Sequence, residues 1–280
     1  MIRLALRCRA DQADAVLADL LEVAPSGVEE VDAPGGREGV VEYAVYGAPG
    51  ELPDIGAFEA HAGDALVEVV TEEVPDDWDE RWKRFYFPVL VGGRLYVRPP
   101  WEQPAQRGGV DEVVIDPGGA FGTGTHPTTR MCLELMLEEH RKAGSPRGRS
   151  FCDLGCGSGV LSIAAAKLGF APVLGVDADR AAIEESDRNA RANYVELELR
   201  HMDLRGESPP VADVIAANLT APLLGAVARA WIDAGERPGV LIASGILREE
   251  ADDIAAVLEG AGLSERRRMV SGDWGAILSM

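Results

Sequence analysis

A doubly wound α/β sheet preceded by a smaller α+β unit is the fold class this sequence predicts. Three observations predict it. Strand and helix patterns alternate from about residue 110 onward. A glycine-rich strand–turn–helix junction stands at residues 153–159. The first 73 residues instead read as strand, helix, two strands, helix and strand, the split β-α-β-β-α-β order of a ferredoxin-like unit.

In that first unit, Ile2, Leu4, Leu6 and Cys8 alternate with Arg3 and Arg7, the pattern of a half-buried strand. Residues 11–23 carry Ala13, Val16, Leu17, Leu20 and Leu21 on one helical face, with Asp11 placed to cap it. A short strand is predicted at Val28–Val31, and the turn Pro34-Gly35-Gly36 leads to another through Val41, Tyr43 and Val45. A short helix over 51–60 and a strand over 65–73 complete the unit.

Residues 74–101 form a linker rich in aromatic rings, with three of the five tryptophans: Trp78, Trp82 and Trp101. Packing at a domain junction is the plain reading, and a ring-lined substrate entrance the sharper one. Residues 102–280 then form the third segment. Its strands are predicted at 113–115, 150–153, 172–176, 195–199, 213–217 and 239–243, followed by a hairpin-like antiparallel pair ending at 274–279. Its helices are predicted at 127–140, at 158–168, behind a cap at Asp179, after Pro222, and at 249–260.

Composition narrows the functional classes. The chain has 280 residues, enough for two domains, with an ordinary 46% hydrophobic and 26% charged content. No apolar run approaches the ~18 residues of a membrane span, and the start lacks the long apolar stretch of a secretory signal. A cytoplasmic protein is expected. Cys8, Cys132, Cys152 and Cys156 are too few for a disulfide framework and lack CxxC spacing, so they are expected as buried thiols, with no metal site. The formal net charge is −20, and residues 1–73 alone contribute −12. This disfavours direct nucleic-acid binding and suits either solubility or a basic protein partner.

The chemistry centres on Asp153-Leu154-Gly155-Cys156-Gly157-Ser158-Gly159. Glycines at a strand–helix turn let backbone N–H groups approach a ligand closely. A dinucleotide fingerprint G-x-G-x-x-G fails, because Val160 and Ser162 occupy the third-glycine positions of the two possible frames. Asp153 suits a ligand bearing an ammonium group and no phosphate, as in S-adenosylmethionine. Asp177, 20 residues after Gly157, ends the next strand and is placed to accept hydrogen bonds from both ribose hydroxyls. Asp203, after the third strand, is placed to accept from an adenine amino group, or is a solvated loop acid. Asn218, after the fourth strand, can hold an amine through its carbonyl oxygen, or is a turn residue. The segment Asp116–Thr129 carries four glycines within seven residues, and Thr128 and Thr129 are placed to cap the following helix and bond a ligand. His126 there is a candidate base or a structural hydrogen-bonding group.

Taken together, FGTGTHPTT, DLGCGSGVLSIAAAKLG, GVDAD, AANL, the linker stretch DWDERWKRFYFPVLVGGRLYVRPPW and SGIL at 244–247 resemble the bacterial PrmA family, methyltransferases of large-subunit ribosomal protein eleven. The resemblance covers residues 76–280 and reaches the first unit by topology only. It implies a Rossmann-like S-adenosylmethionine-dependent methyltransferase domain behind a ferredoxin-like substrate-recognition domain. It implies binding roles at Thr129, Gly155, Asp177 and Asn218. Phe121, Asp153, Gly157, Gly159, Asp203 and Leu219 complete the expected cofactor set, with Asn218 as the catalytic residue. One departure is Asn218-Leu219-Thr220-Ala221-Pro222, where the family has Ile-Leu-Ala after the asparagine and its proline one place later. The expected reaction is methylation of α-amino and lysine amines of that ribosomal protein, by a monomer. Another protein lysine, a small amine, or a non-catalytic nucleoside-binding role are the alternatives.

Overall fold

The computed structural model describes residues 2–13, 16–17, 29–31, 39–47, 66–73, 86–106, 108–117, 124–143 and 148–280. The chain divides into two compact units between Phe85 and Tyr86. The expected helix over 51–60 and the tryptophans Trp78 and Trp82 lie outside the described residues.

The first unit holds an antiparallel sheet of β1 (Ile2–Arg9), β2 (Glu29–Val31), β3 (Val40–Gly47) and β4 (Leu66–Glu73), in the order β2-β3-β1-β4. Alternation along β1 sets its two faces. Leu4, Leu6 and Cys8 are buried with Ala13, Val16, Tyr43 and Val45. Arg3 and Arg7 point to the other face, where Glu42 of β3 lies between them, 1% exposed. Asp11, expected as a helix cap, falls inside the one-turn 3-10 helix Ala10–Gln12.

The second unit is built on a seven-stranded sheet of order β10-β9-β8-β11-β12-β14-β13. Its strands are β8 (Phe151–Leu154), β9 (Val173–Asp177), β10 (Glu198–His201), β11 (Val214–Asn218), β12 (Val240–Leu247), β13 (Glu265–Ser271) and β14 (Trp274–Ser279). The five from β10 to β12 run parallel, whereas β14 runs antiparallel to both β12 and β13. Among the described residues, five α-helices flank it: α1 (Pro127–Ala143), α2 (Val160–Leu168), α3 (Arg180–Ala192), α4 (Ala221–Ala234) and α5 (Ala251–Gly260). Alternate strand residues feed two separate cores. Phe151, Val214 and Ile242 pack with α1 and α2, while Cys152, Ile215 and Leu241 pack with Leu224, Val227, Ala228 and Trp231 of α4. A sheet apolar on both faces requires such double cover.

A further sheet, of order β5-β6-β7, joins the first of these cores through Val91, Leu95, Val97 and Val113. Its strands are β5 (Val89–Val91), β6 (Leu95–Arg98) and β7 (Asp111–Val114). The first two fall in the aromatic segment, where sequence periodicity predicts no strand. All four cysteines are free and buried, as their number and spacing predict. Among the described residues, no helix is long and apolar enough to cross a membrane.

Candidate active site

Strands β8, β9, β10 and β11 end on one edge of the sheet, and the strand order reverses between β8 and β11. Open α/β sheets hold ligands at such a crevice. A cavity of about 340 Å³ opens there, lined by Gly155 and Gly157 after β8, Asp177 at the end of β9, Asp203 after β10, and Asn218 and Leu219 at the end of β11. Six of the residues singled out from sequence thus share one cavity, though they span 65 positions of chain.

The glycine loop explains why they can meet. Gly155 has φ of +74°, and a Cβ there would lie 2.5 Å from Leu219 Cδ2. Only glycine lets the two strand ends close together. The Gly157 N–H donates to Asp177 Oδ2 at 2.9 Å, and the Asp179 N–H donates to Asp177 Oδ1 at 2.9 Å. Each carboxylate oxygen keeps lone-pair capacity, so the group faces the cavity in a fixed orientation. Asp179 also accepts from the Ala181 N–H at 2.8 Å and caps α3, as its position predicts. Asp203 is half exposed. Its Oδ1 accepts from the Arg205 N–H at 3.0 Å, which turns the chain beneath the cavity.

Asp153 lies deeper. Its residue is 0% exposed and does not line the cavity. Its Oδ2 accepts from the Ser162 N–H at 3.0 Å and from Ser162 Oγ at 2.8 Å, while Oδ1 is buried without a hydrogen-bond partner. Burial pushes its pKa up to about 7, against the Ser162 hydrogen bonds that lower it. Gly159, at φ +82°, forms the N-terminal boundary of α2 behind the cavity.

Asn218 stands where β11 meets α4, and its Nδ2 lies 3.5 Å from Oγ1 of Thr129, a 1% exposed residue in the first turn of α1. With its amide nitrogen turned to Thr129, the carbonyl oxygen is left to accept from a ligand. Helix α1 begins at Pro127, so Thr128 and Thr129 lie inside it and neither is the expected cap. The His126 ring occupies that place. Its Nδ1 lies 2.7 Å from Thr128 Oγ1 and accepts weakly from the Thr128 N–H at 3.4 Å, and the ring packs edge-on against Trp274 at 5.1 Å. Burial lowers its pKa. Phe121 lies outside the described residues.

Sequence reasoning missed two supports of the site. Gly245 of β12 has φ of +82°, and a Cβ there would lie 2.6 Å from the Leu219 carbonyl oxygen. The β12–β14 register shifts at this point, so Gly245 makes a bulge that receives the end of β11. A lone glycine within an apolar strand pattern is its sequence signal. The second support is a set of small polar side chains on α3. Ser186 Oγ donates to the Gly157 carbonyl at 2.8 Å, and Asn189 Nδ2 donates to the Ser158 carbonyl at 2.9 Å.

The profile of the ribosomal protein L11 methyltransferase (PrmA) family matches residues 54–280. A ribosomal protein L11 methyltransferase of Heliobacterium modesticaldum is 39% identical over 212 residues, which cover 75% of this chain and 66% of that protein. One from Alkaliphilus metalliredigens is 38% identical over 217 residues, covering 76% of this chain and 67% of the relative. The matches therefore span about two thirds of the length of these relatives. Among solved structures, a ribosomal protein L11 methylase of Lactobacillus delbrueckii subsp. bulgaricus superposes with a TM-score of 0.61 at 28% identity, covering 70% of this chain and 98% of that one.

Proposed function

The chain belongs to the ribosomal protein L11 methyltransferase family, and on that premise we propose that it methylates amines of ribosomal protein L11 with S-adenosylmethionine as donor. The observation that carries this reading is the convergence of Gly155, Gly157, Asp177 and Asn218 on one cavity. A carboxylate with free lone pairs at the end of β9 suits a vicinal diol. The apolar side chains of Met202, Leu204 and Leu223 in the same cavity suit a planar base. The buried, partnerless Asp153 Oδ1 suits a positive charge on the methionine side of the ligand, reached through the loop above it.

When bound, S-adenosylmethionine supplies an electrophilic methyl group. The protein's part is then positioning and the exclusion of water. Asn218 accepts a hydrogen bond from the incoming amine and aims its lone pair. It cannot take a proton, so the amine sheds its proton to solvent before attack. An α-amino group with pKa ~7.8 is about a tenth neutral near pH 7, whereas a lysine costs about 4–5 kcal/mol to deprotonate there. Without a strong base at hand, α-amines are methylated faster than lysines at neutral pH.

The first unit we read as a ferredoxin-like recognition domain over 1–73, joined by the linker 74–101 to a catalytic domain over 102–280. The order β2-β3-β1-β4, with the first strand between the third and fourth, supports this reading, as does the −12 charge that suits a basic ribosomal protein. We place the protein in the cytoplasm as a monomer without direct nucleic-acid binding. The test is incubation of purified L11 with S-adenosylmethionine, followed by mass spectrometry. Single-methyl mass increments on L11 amines are expected. Methyl transfer to another acceptor but none to L11 would overturn the substrate.

A further inference from the structure

Helix α3 carries a buried polar stripe, and every member of it holds backbone belonging to the candidate site or to the strand that leads toward it. Ser186, Asn189 and Asn193 lie three and four residues apart, on one helical face, at 0%, 2% and 2% exposure. Ser186 Oγ donates to the Gly157 carbonyl at 2.8 Å. Asn189 makes a bridge: its Nδ2 donates to the Ser158 carbonyl at 2.9 Å, and its Oδ1 accepts from the Asp116 N–H at 3.0 Å. Asn193 Oδ1 accepts from the Val114 N–H at 2.8 Å, and its Nδ2 donates to the Val114 and Asn189 carbonyls.

The three residues differ in what they touch. Ser186 holds only the glycine loop. Asn193 holds only the end of β7 and its own helix. Asn189 holds both at once, so the glycine loop and the chain entering the Asp116–Thr129 segment share one amide group. The glycine loop in turn donates from Gly157 to Asp177. The geometry points to Asn189, assisted by Ser186, as the positioning residue that sets the glycine loop for S-adenosylmethionine. This rests on the methyltransferase reading above.

Physical chemistry favours this over mere helix packing. A buried amide is costly unless its donors and acceptor are satisfied, and a leucine of similar volume would fill the same space without that demand. Moreover, carbonyls held from behind fix the two peptide planes on either side of Ser158, because a trans peptide cannot rotate one end alone. The Gly157 N–H just ahead of these planes donates to Asp177, so holding the turn also holds the carboxylate that faces the cavity.

The test compares Asn189→Leu, Ser186→Ala and Asn193→Leu in the full chain, by calorimetric binding of S-adenosylmethionine, steady-state kinetics and thermal unfolding. Asn189→Leu should weaken binding about tenfold or more and raise KM for the donor by a similar factor, as for two lost hydrogen bonds. Ser186→Ala, which deletes one hydroxyl from a helix, should fold normally and weaken binding about three- to fivefold. Asn193→Leu should lower the melting temperature as Asn189→Leu does, yet leave donor affinity within about twofold of the wild type. Should Asn189→Leu not fold, Ser186→Ala against Asn193→Leu decides the matter. Equal affinity losses in the Asn189 and Asn193 variants for equal losses of stability would reduce the stripe to packing, as would wild-type affinity in both Asn189→Leu and Ser186→Ala. A wild-type protein that fails to bind S-adenosylmethionine would overturn the methyltransferase reading and this proposal with it.

Discussion

The four-stranded sheet of the first unit and the seven-stranded sheet of the second handle charge in opposite ways. In the first unit, ionisable side chains sit in mid-strand and meet one another. Arg7 lies opposite Glu42 on β3 and Glu68 on β4, and its Nε donates to Glu42 Oε2 at 2.6 Å. Arg3 completes the set with Glu42 and, at 3.6 Å, with Glu72. In the second unit, the middles of β8, β11 and β12 are apolar on both faces apart from Asp153 and the small hydroxyl of Ser244, and charged groups gather where the strands stop. Glu42 has both carboxylate oxygens bound by guanidinium groups. Asp177 has both oxygens tethered by single N–H groups, which orient it and leave room for more. A charge whose valences are filled across a sheet maintains the sheet, and one left partly unfilled at a strand end awaits a ligand.

Substitutions at three positions can break or sharpen that contrast. The largest effect is expected at Asn218. Asn218→Ala should lower kcat roughly 10²-fold while changing donor affinity little, because the contact matters most in the transition state. Asn218→Asp would hold the amine in its protonated form, so its rate should recover only as pH rises. An Asp variant with the wild-type rate and pH profile would remove Asn218 from the chemistry.

Next comes Asp177→Ala, which should weaken S-adenosylmethionine binding by about 1.5–3 kcal/mol, as for a lost pair of charge-assisted hydrogen bonds. Its melting temperature should move little, because it releases only two N–H groups, that of half-buried Gly157 and that of exposed Asp179. Unchanged affinity by calorimetry would show that the acid serves only to shape the loop.

The smallest effect is expected at Glu42, and it falls on stability alone. Burial raises its pKa, but the hydrogen bonds from Arg3 and Arg7 outweigh this and hold it below its ordinary value of 4.5. A depressed carboxylate pKa adds stability above the unfolded-state value and loses it as pH falls through the folded-state value. Glu42→Gln should therefore cost about 1–2 kcal/mol at pH 7. The cost, read from hydrogen exchange of β1 amides, should shrink below about pH 4.5. A pH-independent cost would mean that the shape of the side chain matters more than its charge.

Much of this was legible in the sequence. Among the described residues, element and face were readable where a period of 2 or 3.6 runs for five residues or more, as in β1 and in the helices of the second unit. The helix after Pro222 buries Leu224, Val227, Ala228 and Trp231 together, as their spacing predicts. Strands β5 and β6 were not legible, because each has only three or four residues and lies within a segment dominated by aromatic rings. Strand β10 runs from Glu198 to His201, later than predicted, because alternating Glu and Leu at an edge give no unique start. The site's own residues were readable because glycine, aspartate and asparagine stand at strand ends in recognisable spacing. The α3 stripe was not, since Asn189 acts on backbone 31 and 73 positions away, and no local pattern encodes that distance.

The order of the last strands bears on how the chain assembles during translation. Strand β13 precedes β14 in the chain but touches the sheet only through it. Emerging from the ribosome, β13 has no strand partner until β14 follows. During that wait a bare apolar strand would be sticky. Here the segment reads Glu265-Arg266-Arg267-Arg268, largely exposed even in the finished sheet. Such charges keep an unpaired edge from recruiting foreign strands. Because β13 also stays at the edge of the finished sheet, the same three arginines keep that edge charged in the folded protein.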